Sequence, residues 1–288
     1  MGAAVKANRE TWQMMKLGLD TFSYHLHLED LDQPRDAFWF LKKIADLGLD
    51  GCHFDPRHLR GWNEELVRGI GRFCTEHGLY LELGSAGFDY ERLSKRLVLA
   101  SEVGARLMRT FIGGERQKVP EERRDELIRS AVENFKRLSE VAERVEIPLA
   151  LENHRDLTSD EVVRILRAVG SPFVCSYVDT ANSLPVWEDP VECVRNLAPH
   201  AAGTHLKDWK HWWEEGVSNT EGCALGLGDA RVAELYPILR KANPRMPITL
   251  QIPTVGPHFA VCTPEEEDRN VIASIKFVRE LEADLGQA

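Results

Sequence analysis

The sequence predicts a (β/α)8 barrel, an α/β fold, formed as a single domain over residues 1–288. Eight short apolar runs occur along the chain, and each precedes a turn and a longer stretch with apolar residues at helical spacing. No glycine-rich GxGxxG follows the first run, which argues against a doubly wound sheet. No linker rich in Ser, Gly or Pro divides the chain. Residues 1–15 are predicted to be an N-terminal extension.

Eight strands are predicted from β-branched and aromatic residues in short runs. In chain order they are KLGLDTFS (16–23), LDGCHFD (49–55), LYLELG (79–84), RLMRTFI (106–112), PLALEN (148–153), FVCSYVD (173–179), AGTHLKD (202–208) and ITLQIP (248–253).

Helices are predicted between the strands, because several intervening stretches open on Asn, Ser or Pro and close on Gly. Examples are QPRDAFWFLKKIADLG, NEELVRGIGRFCTEHG, SDEVVRILRAVG and PEEEDRNVIASIKFVRELEADLG. The longest irregular connection, residues 208–228, is interpreted as an active-site loop.

The composition excludes several classes of partner. A formal net charge of −10 opposes binding to nucleic acid and to anionic membranes. No run of about eighteen apolar residues is present, and the amino terminus lacks the apolar core of a secretory signal. The six cysteines are scattered, as reduced packing residues are. We therefore expect a soluble, cytoplasmic protein.

Four predicted strands in succession carry, near their end, a polar residue that can bind a metal. These residues are Glu152, Asp179, His205 and Gln251. In a parallel barrel the carboxyl ends of the strands carry the chemistry, so the four side chains are expected to meet at one mouth. Side chains alternate along a strand, so Ala150, Tyr177 and Thr249 should line the same inner side two residues earlier.

Two carboxylates, an imidazole and an amide oxygen form a donor set that suits one divalent ion. Mn²⁺ is the ion expected first, with Mg²⁺, Co²⁺ or Zn²⁺ as alternatives. Each residue also has an ordinary structural interpretation: Asp179 as a turn residue, Glu152 bridged to Arg155, His205 as a core histidine, and Gln251 as a polar strand end.

Further candidate residues lie near the same strand ends. Lys207 follows His205 by two residues, so it shares the inner face of the strand. It is a candidate to donate a proton or to bind a carboxylate of the substrate. Asp208 is expected to orient His205 through the second ring nitrogen. The candidate substrate-binding residues are His53, Arg109, His154, Asn182 and His211. For Arg109 the alternative is a structural ion pair with Asp55.

The segments LENHRD, VDTANS, THLKDW and GLGD resemble the xylose isomerase-like barrel superfamily of sugar-phosphate isomerases and epimerases. The resemblance implies a metal held by Glu, Asp, His and a final Glu, which correspond to Glu152, Asp179, His205 and Gln251. The last position departs from the pattern. In the epimerases the first and last glutamates exchange protons on opposite faces of the substrate, and an amide cannot act as a base at neutral pH.

The resemblance implies a metal-dependent isomerase or epimerase that acts on a keto-sugar or sugar-acid derivative through an enediolate, with Glu152 as a catalytic residue. The alternatives are a lyase, such as a 3-oxo sugar acid decarboxylase or a dehydratase, and a non-catalytic sugar-binding barrel. A nuclease of the same barrel type is disfavoured by the acidic charge. Trp209, Trp212 and Trp213 are expected to cover a sugar ring or to form the contact of a homo-oligomer.

Overall fold

The computed structural model describes residues 15–29, 32, 34–114, 116, 119–257, 260 and 262–287. Eight parallel strands close into a barrel in the spatial order β1-β10-β7-β6-β5-β4-β3-β2. These strands are β1 Leu17–Asp20, β2 Gly51–Phe54, β3 Tyr80–Gly84, β4 Leu107–Thr110, β5 Leu149–Glu152, β6 Val174–Asp179, β7 Ala201–Leu206 and β10 Ile248–Leu250. The predicted (β/α)8 barrel is therefore confirmed.

Helices surround the barrel between consecutive strands. They are α1 His25–Glu29, α2 Ala37–Asp46, α3 Glu64–Glu76, α4 Tyr90–Glu102, α5 Glu121–Arg144, α6 Ser159–Val169, α7 Pro190–Leu197, α8 Val232–Ala242 and α9 Pro264–Gln287. Within the described part of the chain, no helix is both long and apolar enough to cross a membrane.

The start and stop signals in the sequence correspond to real caps, with one shift. Asn63 caps α3 by accepting the Leu66 amide, and Gly170 ends α6 in a left-handed conformation. The helix predicted from Gln33 begins only at Ala37, because the Asp36 side chain accepts the Trp39 amide and fixes the first turn there.

The connection at residues 208–228 was wrongly predicted to be irregular. Most of it is an antiparallel hairpin, β8 Trp209–Glu214 and β9 Val217–Gly222. Its two-residue loop, Glu215 and Gly216, has φ values of 49° and 79°. Positive φ at both loop residues is typical of the tight turn that joins two twisted strands.

A buried polar cluster fills the barrel below the mouth. Glu82 is fully buried and forms an ion pair with Arg106. Its other oxygen accepts hydrogen bonds from the Tyr177 hydroxyl at 2.8 Å and the Thr249 hydroxyl at 3.1 Å. Tyr177 and Thr249 thus line the barrel interior as predicted, and the pairing of Glu82 offsets the cost of its burial.

Met15 is the one residue of the predicted N-terminal extension that the structure describes, and its sulfur accepts a hydrogen bond from the Tyr236 hydroxyl at 3.6 Å. Residues 1–14 lie outside the described residues.

The barrel interior allows no side chain at Gly51, which supports a first prediction. A Cβ atom there would lie 2.2 Å from the Tyr80 ring. We expect Gly51→Ala to lower the free energy of unfolding by about 1–3 kcal/mol, the usual cost of overpacking. Urea denaturation checks this value. Gly286→Ala is the control, since nothing lies within 4 Å of its added methyl. Equal stability of the two variants would contradict the close packing.

Candidate active site

Three of the four predicted metal ligands come together at the barrel mouth. Ligand atoms of Glu152, Asp179 and His205 lie within 4.8 Å of one another, and all three residues are buried. His205 Nδ1 lies 2.9 Å from Glu152 Oε1 and 3.9 Å from Asp179 Oδ2. The arrangement follows from register, because β6 and β7 pair Asp179 directly with His205.

The fourth predicted ligand, Gln251, faces a residue that the sequence analysis missed. Its amide nitrogen donates to Asp20 Oδ1 at 3.1 Å, and both side chains are buried. Asp20 ends β1 and forms a second cluster with His53 and His205, whose ligand atoms also lie within 4.8 Å. The rule used for the other strands would select Asp20 only with the observed strand end, because the predicted first strand ran on to residue 23.

Asp20 and His53 form a tightly hydrogen-bonded pair. The Asp20 carboxylate contacts His53 Nδ1 and also accepts the Phe22 amide. Burial acts to raise the pKa of Asp20, but the hydrogen bond and charge of His53 lower it to about 2. The carboxylate is therefore ionised and fixes the orientation of the His53 ring. The other ring nitrogen, Nε2, is buried and has no hydrogen-bond partner among the residues that the structure describes.

Arg109 lies between two carboxylates rather than at the open surface. Its Nε is 3.3 Å from Glu152 Oε2, and a terminal nitrogen is 3.6 Å from Asp55 Oδ2. Burial disfavours its charge, yet Glu152 and Asp55 raise the pKa of Arg109 above its ordinary value. The ion pair with Asp55, weighed as the alternative to substrate binding, is present, and Arg109 also holds Glu152 in place.

Lys207 reaches the site from β7, as its spacing after His205 predicts. Its Nζ lies 3.4 Å from Asp179 Oδ2 and 3.2 Å from Asn182 Oδ1. The Trp209 ring lies beneath it, 4.7 Å from Nζ to the centroid. Burial raises the pKa of Asp179 to about 6, although Lys207 acts to lower it. The ammonium group therefore faces the predicted ligand set.

His154 and His211 occupy different environments. The His154 ring stacks on Phe111 with centroids 4.3 Å apart, and its Nδ1 has no hydrogen-bond partner. Burial lowers the pKa of His154 to about 3, so its ring is neutral. His211 lies on the hairpin, where its Nε2 is 2.9 Å from the Ser218 hydroxyl. Substrate binding by either histidine stays a prediction.

Asp208 was wrongly expected to orient His205. Its carboxylate instead accepts backbone amides of Trp209, Gly226, Gly228 and Ala230, each at 3.0 Å. Strand alternation explains the error, because Asp208 is three residues beyond His205 and lies on the opposite side. Asp208 fixes the GLGD loop, and the His205 ring contacts Glu152 and His53 instead.

Of the three predicted tryptophans, Trp213 packs against a further tryptophan, Trp187, that the sequence did not single out. Trp213 stacks on Trp187 at a centroid distance of 3.9 Å, and Trp187 is 72% exposed. The two rings come from the loops after β7 and β6, at the catalytic end of the barrel. A sugar contact and a subunit contact both stay predictions for this surface.

The buried donors fit a divalent cation. Glu152 and Asp179 supply carboxylate oxygens, and Glu152 Oε2 accepts no hydrogen bond from the described residues, although Arg109 Nε lies 3.3 Å away as an ion pair. Burial and the charge of His53 lower the pKa of His205, so its ring is neutral, as a metal ligand must be. Two carboxylates and one neutral imidazole are a donor set that Mn²⁺, Co²⁺ and Zn²⁺ accept.

Comparisons with known proteins agree with the barrel fold. The family model for the xylose isomerase-like TIM barrel matches residues 41–281. The chain is 28% identical over 218 residues to the 3-oxo-isoapionate decarboxylase of Pectobacterium atrosepticum, covering 74% of this chain and 77% of that protein. Its fold is similar to a D-psicose 3-epimerase from Clostridium cellulolyticum H10, with TM-score 0.71, 14% identity and coverage of 93% and 99%. The IOLI protein with a bound zinc atom gives TM-score 0.72, 14% identity and coverage of 94% and 99%.

A second prediction concerns metal affinity. Asp179→Asn keeps the shape of the side chain and its backbone hydrogen bonds but removes a charge from the donor set. We expect Mn²⁺ to bind about tenfold or more weakly, measured by titration calorimetry and by the Mn²⁺-induced rise in melting temperature. Asp189→Asn is the matched control, because Asp189 is an exposed helix cap. Wild-type Mn²⁺ affinity in Asp179→Asn would remove Asp179 from the ligand set.

Proposed function

The chain belongs to the xylose isomerase-like TIM-barrel family, and from that premise we propose that it is a divalent-metal-dependent lyase that decarboxylates a 3-oxo sugar acid. The observation that carries the proposal is the environment of Gln251, the position at which a second catalytic carboxylate is expected by resemblance. From the sequence an isomerase or epimerase is expected first and this lyase second; the contacts of Gln251 support placing the lyase first.

Epimerisation by two carboxylates requires a base on each face of the substrate. Gln251 cannot accept a proton at neutral pH, and its amide nitrogen is engaged by Asp20 at 3.1 Å. Asp20 is a poor substitute base, because its pKa is about 2 and both its oxygens accept hydrogen bonds. A reaction that needs one proton delivery, and no second base, fits these residues better.

Glu152, Asp179 and His205 would hold the ion, and a bound divalent ion would supply a Lewis acid that stabilises negative charge on the substrate carbonyl oxygen. Mn²⁺ is the ion proposed first. Gln251 as a fourth ligand, through its amide oxygen, stays a prediction.

Lys207 is the proposed proton donor. When the bond to the carboxylate breaks, its electron pair remains on the substrate as an enediolate, and one carbon must then gain a proton. Lys207 is 5% exposed and lies 3.4 Å from Asp179, so the ammonium is held at the site with little competing water. Its contact with Asn182 at 3.2 Å limits the directions in which Nζ can point.

The decarboxylase that is 28% identical to this chain supports the same class of reaction, since its name specifies a 3-oxo acid as substrate. The similarity covers 77% of that protein. We infer a 3-oxo sugar acid as the substrate class of this chain, with a branched carbon skeleton as the first candidate.

A second candidate function is isomerisation of a keto-sugar derivative by Glu152 and His53. It is favoured by one observation: His53 Nε2 is buried without a hydrogen-bond partner, while Nδ1 is fixed by Asp20. An imidazole held in this way is suited to move a proton between neighbouring substrate atoms.

A third prediction separates the two reactions. The Mn²⁺-loaded protein is incubated in D₂O with carboxyl-labelled 3-oxo sugar acids and, separately, with ketoses. We expect labelled CO₂ from at least one acid and one deuterium in the product, because a single protonation completes the reaction. Solvent deuterium uptake by a ketose with inversion of configuration, and no CO₂ from any acid, would contradict the lyase. No turnover on either panel would favour the non-catalytic barrel.

A fourth prediction tests Lys207 itself. Lys207→Met keeps the aliphatic stem and removes the proton donor, so turnover should fall about 10²-fold or more. The Mn²⁺ affinity should stay within a few-fold of wild type. Lys210→Met is the control, since Lys210 is exposed and pairs with Glu221 on the hairpin. An unchanged turnover number in Lys207→Met would show that another group delivers the proton.

A further inference from the structure

Arg155 is a half-buried residue at the carboxyl end of the barrel, and its Nε has no hydrogen-bond partner among the described residues. It follows His154 in the loop after β5, and its backbone carbonyl accepts the Arg116 amide at 2.8 Å. The backbone is therefore tied to the neighbouring loop. The side chain is different: its Nε is buried and has no hydrogen-bond partner, and no ion pair of the described residues includes it.

Three other arginines at the carboxyl end of the barrel are paired with carboxylates. Arg109 contacts Glu152 and Asp55, Arg116 pairs with Glu161, and Arg231 pairs with Asp189. Leaving a buried nitrogen of a charged group without an acceptor is costly. Arg155 therefore stands out as a cation that has no anionic partner within the described part of the chain.

A second nitrogen without a hydrogen-bond partner among the described residues lies in the preceding residue, His154. His154 Nδ1 is also buried without a hydrogen-bond partner, while its ring is held flat against Phe111 at 4.3 Å. Both residues follow soon after Glu152, which ends β5, so these two buried nitrogens belong to a loop at the mouth, where the predicted ligand set also lies.

We propose that Arg155, assisted by His154, binds the carboxylate of the substrate. That this carboxylate is then lost as CO₂ rests on the proposed function, whereas its binding does not. Guanidinium Nε and a terminal nitrogen together form a planar fork that matches the two oxygens of a carboxylate. The residues that bind the acid group are then distinct from those that would hold the metal.

Loss of the substrate carboxylate would also weaken the binding of the product at Arg155. In the reaction R–CO₂⁻ + H⁺ → R–H + CO₂, the carboxylate becomes neutral CO₂, and a proton replaces it on carbon. The product no longer offers an anion to Arg155, so the guanidinium contact is lost as the reaction proceeds. Substrate binding is favoured over product binding by that one group.

The test is an equilibrium binding experiment with Mn²⁺-loaded protein and three probes that share a polyol chain: D-gluconate, neutral D-glucitol and D-glucitol 6-phosphate. We expect wild-type protein to bind D-gluconate about tenfold or more tightly than D-glucitol, the equivalent of about 1.4 kcal/mol. Arg155→Gln should abolish that preference without changing D-glucitol binding, and Arg155→Lys should restore part of it. Arg164→Gln, which removes an exposed and paired arginine on α6, should behave as wild type.

Equal binding of D-gluconate and D-glucitol by wild-type protein, or an undiminished preference in Arg155→Gln, would overturn the proposal. Tighter binding of D-glucitol 6-phosphate than of D-gluconate would overturn the assignment to a carboxylate and identify a phosphate subsite. None of these measurements needs turnover. A protein that releases no CO₂ but needs Arg155 for D-gluconate would retain this inference while losing the proposed reaction.

Discussion

The compensation of buried negative charge at the barrel mouth is the constraint on which the rest of the site depends. Asp20, Glu152 and Asp179 are each at most 1% exposed. Buried carboxylates without partners cost several kcal/mol each or lose their charge. The charge of each carboxylate is compensated by different partners. Asp20 is paired with His53, and Glu152 is paired with Arg109 and His205. Asp179 contacts Lys207 and accepts two backbone amides. Each pairing also fixes the orientation of a side chain that the proposed chemistry uses.

Strand register determines which of these partners meet. Asp20 is opposite His53 in the β1–β2 pair, and Asp179 is opposite His205 in the β6–β7 pair. In a parallel sheet, paired residues point to the same face, so each pair projects together into the mouth. A slip of one residue would turn either partner out of the barrel. The closed barrel thus sets the electrostatic pairing, and the tight interior, with glycine at position 51 against Tyr80, restricts such a slip.

The sequence predicts the barrel and most of the site because the relevant signals are local. Polar residues at strand ends identified Glu152, Asp179, His205 and Gln251, and alternation identified Lys207. Asp20 was missed because the first predicted strand ran to residue 23 and hid the true strand end. The hairpin at 209–222 was missed because its turn depends on positive φ at Glu215, which no residue preference signals. The pairing of Arg109 and the isolation of Arg155 depend on three-dimensional packing, which spacing along the chain does not encode.

The amide at position 251 and the ionised carboxylate of Asp20 depend on each other. A glutamate at position 251 would place a second carboxylate about where the amide nitrogen lies, 3.1 Å from Asp20 Oδ1. Two carboxylates at that distance cannot both stay ionised, because like charges raise one pKa strongly. With an amide there, Asp20 receives a hydrogen bond, keeps its charge and holds the His53 ring. The amide that leaves the site without a second base therefore also permits a fixed aspartate–histidine pair, and in the proposed reaction the single proton delivery falls to Lys207.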